Sequence, residues 1–91
     1  MQVLTAQSTN GSSTAITVTG NTTVQLDALG KSRVHVKISS DNGTTYTTAY
    51  IFQGGVNRWR IFHLNPSTNY KMILEVTDSD GTSINGFING T

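Results

Sequence analysis

Ninety-one residues without a cysteine allow one small domain and exclude any disulfide or thiolate metal site that would staple it. A formal net charge of +1, with only 12% of residues charged, excludes the large unbalanced field by which nucleic acid or an anionic membrane is held. Thr, Ser, Asn and Gly dominate, helix formers are scarce, and no apolar run approaches the length of a spanning helix, so the composition predicts an all-β chain.

Val3 to Ala6 reads as a short first strand, and Gln7 to Ser13 is polar, glycine-containing and aperiodic. Residues 1–13 are therefore expected to form a flexible N-terminal arm that orders on a neighbouring subunit, with the apolar pair Val3-Leu4 as its latch, ahead of a β-domain over 14–91. Met1 to Ala6 carries neither the basic start nor the apolar stretch of a secretion signal, so synthesis without export is expected. Ile16 and Val18 alternate with Thr17 and Thr19, Gly20-Asn21 supplies a turn, and Val24 and Leu26 continue the alternation, which predicts a hairpin. Leu29 to Ser32 reads as a loop. Beyond it Val34, Val36 and Ile38 point one way and Arg33, His35 and Lys37 the other, the clearest strand of the chain.

Asp41-Asn42-Gly43 predicts a hairpin turn, because Asn and Gly tolerate the positive φ it needs. Thr45 to Phe52 follows, with Tyr46, Thr48, Tyr50 and Phe52 on one face, and Gln53-Gly54-Gly55 is expected to turn the chain into a strand from Asn57 to His63. Asn65-Pro66-Ser67 is turn chemistry again. It delivers the chain into a strand where Tyr70, Met72, Leu74 and Val76 alternate with Lys71, Ile73, Glu75 and Thr77. Asp78 to Gly81 turns back into a last strand, Thr82 to Ile88, and Asn89 to Thr91 trails off. Seven strands, or eight, are predicted in a single antiparallel sandwich. Its core is expected to hold Val34, Val36, Ile38, Trp59, Ile61, Leu64, Tyr70, Met72, Leu74 and Val76.

The strand before the proline turn admits two registers. If Ile61 and Leu64 are both inside, the strand slips by one residue at Phe62-His63, placing Trp59 inward and Arg58, Arg60 and Phe62 outward. We take this register as the expectation; an exposed Phe62 beside Arg58 and Arg60 then has the composition of an interface hot spot that grips carboxylates. Without the slip, Phe62 and Leu64 face the core and Trp59 lies outside.

Little in the chain points to catalysis. His35 and His63 have no Cys, Asp or Glu at ligand spacing and no nucleophile motif beside them. Asp41, Asp78 and Asp80 fall in turns, where carboxylates cap backbone amides. Asp78-Ser79-Asp80-Gly81 opens like a calcium loop, but Thr82, Ser83 and Ile84 follow where ligands are needed, so a plain turn is expected. No enzyme activity, cofactor or metal is therefore expected. Tyr46, Tyr50 and Trp59 read either as core aromatics or as a sugar-stacking platform. Lys31, Arg33, Lys37, Arg58 and Arg60 fall in the central third and Glu75, Asp78 and Asp80 near the end, which predicts a dipolar surface.

Two resemblances extend this reading. Leu64-x-Pro66-x-Thr68-x-Tyr70 resembles the corner of fibronectin type III domains, where a tyrosine hydroxyl reaches back to the loop backbone of an Ig-like sandwich. Here that implies a bond from Tyr70 to the Asn65–Ser67 backbone. Ile16 to Gly20, Thr23 to Leu26, Val34 to Ile38, Ser40-Asp41-Asn42-Gly43 and Thr44-Thr45-Tyr46 together resemble small β-sandwich structural proteins of tailed-phage virions. That likeness implies a capsid decoration or cement protein on the outer surface of the major capsid protein, with Val3, Leu4, Arg58, Arg60 and Phe62 as partner-binding residues. The partner is the major capsid protein or another virion protein, with copies of the chain itself as possible neighbours, and neither nucleic acid nor membrane. The alternative is a carbohydrate-binding or adhesive module of a tail or fibre.

Overall fold

The computed structural model describes residues 1–90, so the trailing Thr91 lies outside the described residues. Seven strands are present: β1 (Gln2–Gln7), β2 (Gly11–Ser12), β3 (Ile16–Val18), β4 (Asn21–Ser39), β5 (Thr47–His63), β6 (Tyr70–Thr77) and β7 (Ile84–Gly90). As expected, the chain is all-β and its pairings are antiparallel. All seven strands belong to one hydrogen-bonded sheet that curls almost into a barrel.

The frame is one long hairpin. β4 has 19 residues and β5 has 17, about three times the common strand length, and they pair from Asn21↔His63 to Ile38↔Thr47. The expected turn at its tip is present, with Asn42 and Gly43 at positive φ. Asp41 holds the tip by accepting hydrogen bonds from the Ser39 and Thr45 hydroxyls and, at 2.9 Å, from the Thr45 amide.

The loop expected at Leu29–Ser32 and the turn expected at Gln53–Gly55 are corrected: the two stretches lie within β4 and β5 and bend the hairpin without ending its strands. Register shifts flank Gly30. The buried alternation Thr22, Val24, Leu26 passes through Leu29 and restarts at Ser32, Val34, Val36. Such a bulge inserts residues on one strand and bends it. Across the corner, Gly54 has a φ of 63°, and a Cβ built on it would lie 2.8 Å from the Gly30 carbonyl oxygen. Glycine is what allows the two strands to cross there.

Bending divides β4 between two neighbours on the edge opposite β5. Thr22–Leu26 pairs with β7, and Arg33–Ser39 pairs with β6. This corrects two expected hairpins. β3 cannot pair with Val24 and Leu26, because β5 and β7 occupy both edges there, and it pairs with Tyr70–Met72 of β6. β6 and β7 likewise lie on different halves of β4.

The connection between them, Asp78–Gly81, locks the corner. The Asp80 carboxylate accepts the Lys31 amide at 2.8 Å, the Ser32 hydroxyl at 3.1 Å and the Thr82 amide at 3.0 Å, and the Asp80 amide donates back to Ser32 Oγ at 3.0 Å. Ser32 is wholly buried, so these bonds are what make its burial affordable. Hydrogen bonds from the Thr82 side chain, the Lys31 and Thr82 amides and the Ser32 hydroxyl hold Asp80 well below the usual carboxylate range. The calcium-like tetrad is thus a structural staple between β4 and β7.

The segment read as an arm is also part of the sheet. β1 pairs with β7 through Gln2↔Phe87, Leu4↔Gly86 and Gln7↔Ile84, and Leu4 is only 2% exposed. Burying such a leucine contributes roughly 1.5–3 kcal/mol, enough with a strand ladder to hold the segment on its own domain. Val3 packs partly against the same core. Of the expected core, Val34, Val36, Met72, Leu74 and Val76 are buried, and Ile38, Leu64 and Tyr70 pack against them half-buried. Trp59 and Ile61 are not inside: they are 63% and 39% exposed.

Candidate docking surface

The second half of β5 carries the exposed chemistry of the molecule. Its partners across the ladder fix which way each side chain points, because directly opposite residues share a face. Arg58 and Arg60 stand opposite the buried Leu26 and Val24, and Phe62 opposite the buried Thr22. These three therefore lie on the concave, core-facing side. Trp59 and Ile61 stand opposite Gln25 and Thr23 on the convex side. The unslipped register is the one adopted, and the expectation of an outward Phe62 is corrected: Phe62 is a core residue at 8% exposure.

Two arginines on a core-facing side need an account of their charge. β5 supplies it by folding back on itself, so that Tyr50 and Phe52 of its first half meet Arg58, Arg60 and Phe62 of its second. The Arg60 guanidinium lies 4.4 Å from the centre of the Tyr50 ring, and that of Arg58 lies 5.7 Å from the Phe52 ring. Tyr50 packs edge-on against both Phe52 and Phe62, with centroids 4.9 and 6.5 Å apart. Each arginine thus covers apolar surface with its stem and places its cation over an aromatic face at the open seam. Arg58 also donates from Nη1 to the Gly54 carbonyl at 2.8 Å, fastening the bend.

The sequence groups the basic residues together, but the fold separates them. Arg33 pairs with Asp78 at 3.5 Å and Lys37 with Glu75 at 2.7 Å across β4 and β6. The expected dipole is thereby reduced. Arg58 and Arg60 have no carboxylate partner among the described residues. Both remain at the edge of β5, whose second side no strand covers among the described residues.

On the convex side, Trp59, Gln25 and Phe87 form one row across β5, β4 and β7. Ile61, Thr23 and Asn89 form the next. The face is apolar at Trp59, Ile61 and Phe87, carries the amides and hydroxyl of Gln25, Asn89 and Thr23 between them, and has the Asp27 carboxylate, bonded to Asn85, on the same side of β4. It is not the platform considered from the sequence, because Tyr50 points inward and Trp59 outward. The Tyr70 corner is present: the Asn65 amide donates to the Tyr70 hydroxyl at 3.3 Å. Among the described residues no three His, Cys, Asp or Glu side chains gather as a metal site, and the His63 ring bonds Asn21 at 2.9 Å. The surface offers contact area, two arginines without carboxylate partners and a strand edge that no strand covers among the described residues. No family model, curated protein or solved structure matches the chain.

Proposed function

We propose that this chain is a non-enzymatic structural protein of a tailed-phage virion, a decoration protein that docks on the outer surface of the major capsid protein. The observation that carries the docking reading is Trp59, a large aromatic 63% exposed on the convex sheet face, beside two cations without carboxylate partners among the described residues. Large aromatics and arginines are the residues on which interfaces concentrate their energy. The virion setting rests on the sequence likeness described above, and localisation to the particle belongs to the same proposal. So does kinship to the Ig and fibronectin type III sandwiches, supported by the Tyr70 corner.

Because Phe62 is a core residue and Trp59 an exposed one, the anchor in this proposal is Trp59. Trp59→Ala is expected to abolish occupancy on stripped particles while leaving the domain folded by circular dichroism. Wild-type occupancy of that variant would refute the docking face. Many copies per particle in register with the capsid lattice support decoration, whereas a few at one vertex support a tail position.

One observation favours a second reading, a carbohydrate-binding module of a tail or fibre. Trp59 and Phe87 flank Gln25 in a single row, and two inter-strand steps set them about 10 Å apart. Two rings with an amide between them are suited to stacking on sugar faces. A glycan array distinguishes the two, since a decoration protein shows no sugar preference.

A further inference from the structure

The outer edge of β5 is long, open and chemically biased. One edge of its 17 residues pairs with β4, and no strand pairs with the other among the described residues. An uncovered edge is a template for any strand that fits it, and proteins protect such edges with bends and inward-pointing charges. β5 has both, in the Gly54-Gly55 corner and in Arg58 and Arg60. Between Thr47 and His63 there is no Asp or Glu.

That bias selects the occupant. In an antiparallel pairing of two copies centred on Arg58, Trp59 or Arg60, a guanidinium falls opposite a guanidinium, and like charges directly opposite destabilise a ladder. The registers that would centre a second copy on the two arginines are therefore disfavoured. A strand bearing carboxylates meets the opposite situation. The guanidinium groups of Arg58 and Arg60 lie over the Phe52 and Tyr50 rings. The N–H groups in the plane of Arg60 make no hydrogen bond among the described residues, and Arg58 commits only Nη1, to the Gly54 and Gln53 carbonyls. The remaining donors suit carboxylate oxygens. Alternation fixes the rest, because residues of an added strand beside Arg58 and Arg60 lie on the concave side and those beside Trp59 and Ile61 on the convex side.

We propose that the edge of β5 over Val56–His63 accepts an extended acidic segment of another protein as an added strand, with carboxylates against Arg58 and Arg60 and apolar side chains against Trp59 and Ile61. This deepens the docking reading and rests on it for the identity of the docking element, though not for the virion setting.

The test uses the isolated full chain and an octapeptide of alternating Val and Glu. Trp59 is the single tryptophan, so its emission reports a peptide seated beside it, and amide hydrogen exchange reports whether β5 gains a ladder. Binding with slowed exchange along Val56–His63 is expected. The alternating Val and Lys octapeptide should not bind, and N-methylation of alternate residues in the acidic peptide should abolish binding by removing the ladder donors. The double variant Arg58→Gln, Arg60→Gln should weaken the acidic peptide by about ten- to a hundred-fold, the equivalent of a lost charge-assisted hydrogen bond. If that variant fails to fold, the charge-reversed peptide decides the matter on the wild-type protein.

Absence of binding, equal binding of the Val and Lys peptide, or binding without slowed exchange in β5 overturns the proposal. Particle occupancy that depends on Trp59 without peptide binding would refute strand addition alone. Peptide binding by a chain whose occupancy is indifferent to Trp59→Ala would refute the docking proposal while leaving the edge site standing.

Discussion

Gly54→Ala tests the bent hairpin at its narrowest point. Two terms oppose the alanine. A left-handed backbone costs an L-residue about 1–2 kcal/mol, and Gly54 has a φ of 63°. The new Cβ would stand 2.8 Å from the Gly30 carbonyl oxygen, a backbone atom that moves only if the corner opens, and crowding of this kind costs roughly 1–3 kcal/mol. Against both, the alanine restricts the unfolded chain and returns about 0.4–1 kcal/mol. The net loss is about 1–5 kcal/mol, a large share of the total for a domain of this size. Gly81→Ala separates the terms, because Gly81 also has positive φ, at 89°, but no atom lies within 4 Å of its built Cβ. It should lose about 1 kcal/mol. Urea unfolding followed by far-UV circular dichroism measures both, with unchanged m-values as the check that only stability has moved. Equal losses at the two sites would refute the close crossing of β4 and β5 at Gly30 and Gly54.

The remaining predictions concern the two polar staples. Tyr70→Phe removes the acceptor of the Asn65 amide, and since that bond is exposed at 3.3 Å, the loss should be about 0.5–1 kcal/mol by urea unfolding; a loss above 2 kcal/mol would mean that the corner carries more than this bond. Asp80 has a folded-state pKa below the ordinary Asp value near 3.9, so its contribution is fully present above that pH and is lost as pH falls below it. Asp80→Asn should therefore destabilise at pH 7 and flatten the acid limb of the stability curve; an acid limb parallel to wild type would show that Asp80 does not hold the corner at Ser32.

The strands that were legible in the sequence are those whose two faces differ over an unbroken run. Tyr70 to Thr77 and Val34 to Ile38 are read directly, because apolar and polar residues alternate there and each strand has one buried side. The corner was not legible, for a local reason. Leu29-Gly30-Lys31-Ser32 and Gln53-Gly54-Gly55 carry the same chemistry whether the chain reverses or only bends, since both require glycine at positive φ. What separates a bend from a turn is the residue opposite, and Gly30 pairs with Gly55. One signal was available: the two glycine stretches lie nearly equidistant from the Asn42-Gly43 tip, as a hairpin folded at matching points requires. Leu4 was misread for a different reason, because two apolar residues in a polar segment declare nothing about the ladder on β7 that buries one of them.

The face of Trp59 shows where side-chain reasoning reached its limit. Placing Trp59 inward rested on keeping Ile61 and Leu64 both inside, which required a slip at Phe62-His63 and turned Arg58, Arg60 and Phe62 outward. β5 is an edge strand. At an edge, an inward-pointing side chain reaches solvent after a few atoms, so an arginine can cover the core with its methylenes and keep its guanidinium at the seam. Tyr50 and Phe52, presented by the other half of the same strand, then supply the ring faces over which the two charges rest. With the arginines accommodated, Phe62 can share their side and be buried without any slip in the strand. Trp59 is left outside by parity. Its exposure is thus a consequence of the same bend that brings Tyr50 and Phe52 over the arginines, and the corner at Gly54 and the surface at Trp59 are parts of one arrangement. A variant that opens the corner should accordingly free Arg58 and Arg60 from their rings and weaken edge binding along with stability, whereas Trp59→Ala should weaken docking and edge binding and leave stability unchanged.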